Sequence, residues 1–248
     1  MKQTPEEIAH ANLAFGAYFA KTLSILGVEK IFFSPGSRST PMVIGVERFS
    51  DIDLIPVLDE RTAAFLALGQ SKRKKQPVGL ICTSGSALTH WFPAVTEASH
   101  SGIPLLLFSA DRPPELQNCG AGQTIDQENI FGNFVRQFHQ LEVPQTNGNY
   151  RDHLVTVLKS AYQKSLDVNP GPVHINFPFR EPLLSESEVH IDFDLTGFLT
   201  EHTANIYPHS PTEISKIISS SKKLLIIAGQ YVEKTHLQQL YSKGVPII

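Results

Sequence analysis

Four short loops carry residue types whose spacing could do chemistry. Ser34-Pro35-Gly36-Ser37-Arg38-Ser39-Thr40-Pro41 lies between an apolar run and the start of a helical one. Backbone N–H groups at a helix start favour an anion, and Arg38 can grip a carboxylate or phosphate through two parallel hydrogen bonds. A capped turn would account for Ser-Pro-Gly alone; an arginine inside the loop is less easily explained that way. No Gly-Lys-[Ser/Thr] follows, which excludes a Walker-type phosphate loop. The second loop is Asp59-Glu60-Arg61, at the end of an apolar run. A carboxylate among apolar neighbours there is tuned toward proton transfer, whereas one that only complements a helix dipole is not. At least one of the two acids is expected to play the second, structural part. The third, Cys82-Thr83-Ser84-Gly85-Ser86-Ala87, is built of small residues that let a flat ring approach the backbone, or a helix pack closely on a strand. It is not a Gly-x-Ser-x-Gly nucleophile elbow. The fourth runs from Asp111-Arg112-Pro113-Pro114 to Gly122-Gln123-Thr124. Arg112 is a second candidate carboxylate clamp and Gln123 a neutral hydrogen-bonding partner, unless Asp111 and Arg112 merely staple a long connection.

Other chemistry is poorly represented. The ten histidines form no HExxH or other tight ligand pair, and Cys82 and Cys119 have neither disulfide-framework nor zinc-site spacing. No metal site is expected from these residues. Trp91-Phe92 reads as core or interface, and Lys72–Lys75 as a solvated helix end.

The elements that must position the loops follow from the apolar pattern. Thr4-Pro5-Glu6-Glu7 is a capping box with proline in the first turn, and Ile8, Ala11, Phe15, Phe19 and Leu23 then recur at helical spacing up to Gly27. Short strands are predicted at Lys30–Ser34, Leu54–Leu58, Val78–Cys82, Leu105–Ser109, Val135–Val143 and Val173–Phe177. Helices are predicted from Thr40, after Glu60, from the Ser84–Ser86 turn to about Ser99, and over Arg151–Lys164. Strands alternating with helices imply an α/β fold with a doubly wound, mostly parallel sheet flanked by helices. Ligands in such sheets bind at the carboxyl ends of the strands, where the four loops fall. Residues 1–180 therefore read as one domain and the proline-rich 181–210 as a linker. Residues 211–248 read as the truncated start of a second α/β domain, with a helix near Thr212–Ser220, a strand at Leu224–Ala228 and a helix near Glu233–Lys243. About 37 residues cannot enclose a core, so the chain is expected to be a piece of a longer polypeptide.

Composition bounds the function. The 248 residues are 41% hydrophobic and 18% charged, and 21 Lys and Arg against 24 Asp and Glu leave a net charge of −3. That balance gives no footprint for nucleic acid. No apolar run approaches the roughly 20 residues of a membrane span, and the acidic N-terminus is unlike a signal peptide. A reduced, cytoplasmic protein is expected.

Taken in order, SPGSRSTP, DERTAAFLALG, TSGSA and SADRPPEL…CGAGQTIDQ resemble the N-terminal part of the SEPHCHC synthase (MenD) family of thiamin-diphosphate-dependent enzymes. The resemblance covers roughly residues 8–180. It implies that residues 1–180 form the pyrimidine-binding domain and that residues 211–248 begin the central domain. It further implies that Glu60 is catalytic, hydrogen-bonding N1′ of the cofactor's aminopyrimidine, with Pro35, Thr83, Ser84 and Gly85 beside the ring. Ser37, Arg38, Arg112 and Gln123 fall on positions that hold isochorismate. The implied reaction is a transferase step of menaquinone biosynthesis: 2-oxoglutarate is decarboxylated on thiamin diphosphate and a four-carbon unit is added to isochorismate. The family works as a homodimer or homotetramer, and its diphosphate and Mg2+ site comes from a partner subunit's C-terminal domain. No Gly-Asp-Gly with a following Asn-bearing loop occurs in this sequence, so the chain alone is expected to be inactive and to bind little or no cofactor. Ser86 and His90 depart from the usual Thr and Asn.

Two other readings fit parts of the pattern. Another thiamin-diphosphate enzyme, acetolactate-synthase-like or a 2-oxoacid decarboxylase, would share DER and TSG, but a small neutral acceptor needs no pair of arginine clamps. A non-catalytic α/β dimerisation module would be indifferent to loss of the Glu60 carboxylate.

Overall fold

Thr4 caps the first helix as its sequence dictates. Its hydroxyl accepts from Glu7 N at 3.2 Å while Glu7 accepts from Thr4 N at 2.7 Å, and α1 (Pro5–Ile25) follows. The computed structural model describes residues 3–184, 211–221, 223–227, 238, 241–242 and 246–247. Within them the chain runs β1 (Lys30–Phe33), α2 (Thr40–Phe49), β2 (Asp53–Pro56), α3 (Glu60–Lys74), β3 (Val78–Cys82), α4 (Phe92–Ser101), β4 (Leu105–Asp111), β5 (Phe138–Gln140), α5 (Gly148–Leu166) and β6 (Val173–Pro178). The six strands form one sheet of order β2-β1-β3-β4-β6-β5, and every pairing is parallel.

Strand periodicity divides the core in two. Along β4, Leu106, Phe108 and Ala110 join Ile31, Ile81, Ile175 and Phe177 beneath α1, α2 and α5. Leu105 and Leu107 turn the other way, joining Phe32, Leu80 and Cys82 beneath α3 and α4 with the fully buried Trp91. A sheet covered on both faces buries its strands at every position, and β3, β4 and β6 are buried throughout.

Two elements differ from the sequence-based expectation. The helix expected to run from the Ser84–Ser86 turn to about Ser99 is a 3-10 segment, Gly85–Trp91, followed by α4. Pro93 explains the break, because proline is accepted in the first turn of a helix and not in its interior. The extended stretch expected over Val135–Val143 pairs only as Phe138–Gln140, at the sheet edge.

The chain divides into two units, Met1–Ala204 and Asn205–Ile248. Of the expected linker 181–210, residues 185–210 lie outside the described residues. The second unit has one described helix, α6 (Pro211–Ser220), and a parallel bridge between Ile226 and Ile247. Most of the helix expected near Glu233–Lys243 also lies outside the described residues. Among the described residues no helix is long and apolar enough to cross a membrane.

Candidate active site

From β1 the chain passes outward to β2, then crosses back to β3 on the other side. The carboxyl ends of β1 and β3 therefore flank the switch point where open sheets bind ligands. Two glycines bring the loops there into contact. A Cβ on Gly36 would lie 2.3 Å from Cβ of Thr83, so only glycine lets the Pro35-Gly36 step rest on the turn after β3. Gly85 has φ +85°, a left-handed conformation that disfavours other residues, and its Cβ would lie 2.8 Å from Cγ of Gln123. Gln123 Nε2 donates to Ser84 O at 3.0 Å, and the buried Ser84 hydroxyl donates to Gln123 O at 3.1 Å. The structure thus gathers Pro35, Thr83, Ser84, Gly85 and Gln123, and sets Gln123 on the turn. Pro35 and Ser37 also line a cavity of about 430 Å³ with Phe33, Thr40 and Val43.

The two acids at the head of α3 divide their work. Asp59 is the N-cap, accepting from Thr62 N at 2.7 Å and Thr62 Oγ1 at 2.8 Å, and these bonds hold its carboxyl below the ordinary range. Glu60, the first helical residue, is half-buried and relieved of the capping role. It lies close enough to Cys82, the last residue of β3, for its charge to reinforce burial in raising that thiol's pKa. Glu60 is thereby placed near the start of the Thr83–Gly85 turn.

Arg38 and Arg112 converge, but on a residue of this chain. Arg38 is buried; its Nη1 donates to Phe179 O at 2.8 Å and its Nη2 to Glu181 Oε1 at 2.6 Å. Arg112 Nη1 lies 3.7 Å from the same Glu181 oxygen. The Asp111–Arg112 staple weighed from sequence does not form between side chains: Asp111 Oδ1 accepts from the Arg112 backbone N at 2.7 Å instead. Pro113 and Pro114 fix the chain beyond, leaving the guanidinium to reach Glu181.

Sequence reasoning missed a polar network beneath these loops. Gln127 Oε1 accepts from Gly85 N at 2.8 Å, and its Nε2 donates to Asn176 Oδ1 at 2.8 Å and Ala110 O at 3.1 Å. Asn176 Nδ2 donates to Asp111 Oδ2 at 2.6 Å, and Ser109 Oγ donates to Asn176 Oδ1 at 2.6 Å. With that hydroxyl proton committed, His174 Nε2 is the donor to Ser109 Oγ at 2.7 Å, an assignment made from the network. The signal was available: His174 and Asn176 interrupt an otherwise apolar strand, and polar groups in a strand buried on both faces must find partners. Burial raises the Asp111 carboxyl to about 6, against the bonds from Asn176 and Gln117. Asp111 lines a cavity of about 640 Å³ with Arg112, Gln117, Asp126, Gln127 and Gln140.

Burial also pushes His174 down to about 3, from an ordinary value of 6.5. The unfolded chain then binds a proton there below pH 6.5 that the folded chain refuses until about pH 3. Stability from this group is present above pH 6.5 and is lost as pH falls toward 3. The stability gap between the protein and a His174→Gln variant, measured by urea unfolding, is expected to be larger at pH 7 than at pH 4. A gap independent of pH would contradict this account of His174.

Among the described residues no group of three or more His, Cys, Asp or Glu could hold a metal ion. A parallel α/β sheet, with an acid and a small-residue turn at its switch point, defines a class. The chain belongs to the thiamin-diphosphate-dependent enzymes: the family model for the N-terminal TPP-binding domain of thiamine pyrophosphate enzymes matches residues 13–130. Within that family the chain corresponds to the N-terminal part of the 2-succinyl-5-enolpyruvyl-6-hydroxy-3-cyclohexene-1-carboxylate (SEPHCHC) synthases. It is 42% identical over 214 residues to the synthase of Acaryochloris marina, which covers 84% of this chain and 36% of that protein. It is 39% identical over 249 residues to the synthase of Gloeothece citriformis, covering 96% and 42% respectively. It is 44% identical over 174 residues to the synthase of Natronomonas pharaonis, covering 70% and 30%. The chain spans less than half the length of these curated relatives.

Proposed function

We propose that this chain is the pyrimidine-side part of a SEPHCHC synthase, a transferase that decarboxylates 2-oxoglutarate and joins the remaining four-carbon unit to isochorismate. The observation that carries the reading is the convergence of two guanidiniums on one carboxylate oxygen at the sheet edge that also bears Glu60. A site for a small monocarboxylate has less use for that pair, whereas both substrates proposed here are dicarboxylates.

The residues present fit the pyrimidine end of thiamin diphosphate. Glu60 is half-buried at the head of α3 while Asp59 caps the helix. The turn beside it carries no side chain larger than threonine and is pinned through Gly85 N to the buried Gln127. Bound thiamin diphosphate supplies the electron sink for decarboxylation and carbon–carbon bond formation. In this reading Glu60 holds a proton at N1′ of the aminopyrimidine, and Pro35, Thr83, Ser84 and Gly85 shape the ring's seat. Arg112, Arg38, Ser37 and, through its hold on the turn, Gln123 orient the acceptor.

Mg2+ and the diphosphate belong, on this proposal, to the part of the synthase that the chain does not span, supplied by a second subunit of a homodimer or homotetramer. The exposed Leu58, Phe65 and Leu66 around the head of α3 support a covered interface beside Glu60. The two free thiols, Cys82 and Cys119, favour a reducing cytoplasmic location.

Arg112→Ala in the full-length protein tests the reading. It is expected to raise the KM for isochorismate at least about tenfold, the loss of one charge-assisted contact, with a smaller effect on the KM for 2-oxoglutarate. Equal effects on both substrates, or none, would contradict the assignment of Arg112 to the acceptor.

A further inference from the structure

We infer that Glu181 is an internal occupant of the Arg38–Arg112 carboxylate site, and that a substrate carboxylate binds there by taking its place. This inference rests on the proposed reading of the two arginines as a substrate clamp. If both were free, an incoming anion would meet two positive charges. It meets instead a trio with one net positive charge, whose best-placed donor, Arg38 Nη2, is already engaged at 2.6 Å.

The three partners differ in freedom to move. Side-chain exposure is 3% for Arg38 and 20% for Arg112, against 69% for Glu181. Arg38 is fixed from behind by its bond to Phe179 O, and Phe179 is locked in turn against Phe15, with ring centroids 5.0 Å apart. The backbone around Glu181 is also fixed. The buried Asn12 of α1 donates to Arg180 O at 2.9 Å and Pro182 O at 2.8 Å, one residue to either side. Arg180 itself is paired with Glu115 at 2.6 and 3.0 Å and does not compete for Glu181. The element free to leave is therefore the Glu181 side chain alone, by rotation toward solvent on an anchored backbone.

Glu181 also underuses the site. Only its Oε1 engages the arginines, and the Nε groups of both Arg38 and Arg112 are buried without a hydrogen-bond partner. Guanidinium–carboxylate recognition is strongest when two parallel N–H groups are used on each guanidinium. A ligand carboxylate that replaced Glu181 and engaged more of these donors would gain what the internal carboxylate leaves unmade. Entry without displacement would set two carboxylates against each other, so exchange is the low-energy route.

The test is calorimetric titration of the full-length protein without turnover, using succinate as a plain dicarboxylate probe. Glu181→Gln keeps an oxygen that can accept from Arg38 Nη2 and removes only the competing charge. It is expected to bind succinate at least about fivefold more tightly than the unaltered protein, and the gain is expected to vanish when Arg112→Ala is added. Glu181→Asp, which keeps the charge but draws the oxygen back, is expected to show a smaller gain in the same direction. Equal or weaker binding by Glu181→Gln, no binding by either protein, or a gain that survives Arg112→Ala would each overturn the inference. Isochorismate titrated in parallel judges the substrate reading separately: tighter succinate binding with no isochorismate binding would uphold the exchange and reject that acceptor.

Discussion

Glu60→Gln in the full-length protein is expected to lower kcat by about a thousandfold, within the range that positioned acid–base groups contribute. Glutamine preserves the size of the side chain and its place as the first residue of α3, but its amide cannot exchange a proton with a ring nitrogen as a carboxyl group does. The neighbouring acid gives the contrast. Asp59 caps the helix through Thr62, so Asp59→Ala is expected to lower the unfolding midpoint by removing the N-cap and to leave kcat within a few-fold. Steady-state rates and thermal unfolding of the two variants separate the roles. Equal losses of activity, or a Glu60→Gln enzyme near full rate, would mean that the head of α3 is structural only.

The second large effect is on the fold. Gly45 of α2 and Gly16 of α1 touch backbone to backbone: a Cβ on Gly45 would fall 2.3 Å from Gly16 O and 2.5 Å from Gly16 Cα. No rotamer change relieves a clash with main chain. Gly45→Ala is expected to destabilise by about 3 kcal/mol, at the upper end of overpacking costs, by forcing α1 and α2 apart. Gly69, inside α3, has nothing within 4 Å of its would-be Cβ. Gly69→Ala is expected to stabilise by about 0.5–1 kcal/mol through helix propensity alone. Opposite signs in the two urea-unfolding midpoints are the expected result. A Gly45→Ala protein as stable as the parent would show that the helix crossing is looser than described.

Those same contacts explain how far the sequence could be read. A mostly parallel sheet was legible because its strands are short apolar runs between helical repeats, and the capping box at Thr4 placed the first helix within a residue. The loops were legible because arginine, an acid and small residues stood where strands end. What stayed hidden depends on long-range partners. Nothing local in Arg38 announces Glu181, 143 residues away. The Gln127–Asn176–Asp111 network likewise joins a loop to two strands, and only the polar interruptions in β6 hinted at it. The 3-10 segment before α4 was lost because small residues read as helix until Pro93 is given its positional meaning.

Coupling of decarboxylation to transfer is measured most directly as a stoichiometry. The full-length protein is supplied with 2-oxoglutarate, isochorismate, thiamin diphosphate and Mg2+, and CO2 release is followed together with isochorismate loss. One CO2 is expected per isochorismate consumed, with both stopping when any component is omitted. CO2 release with isochorismate untouched would contradict it and identify a simple 2-oxoacid decarboxylase.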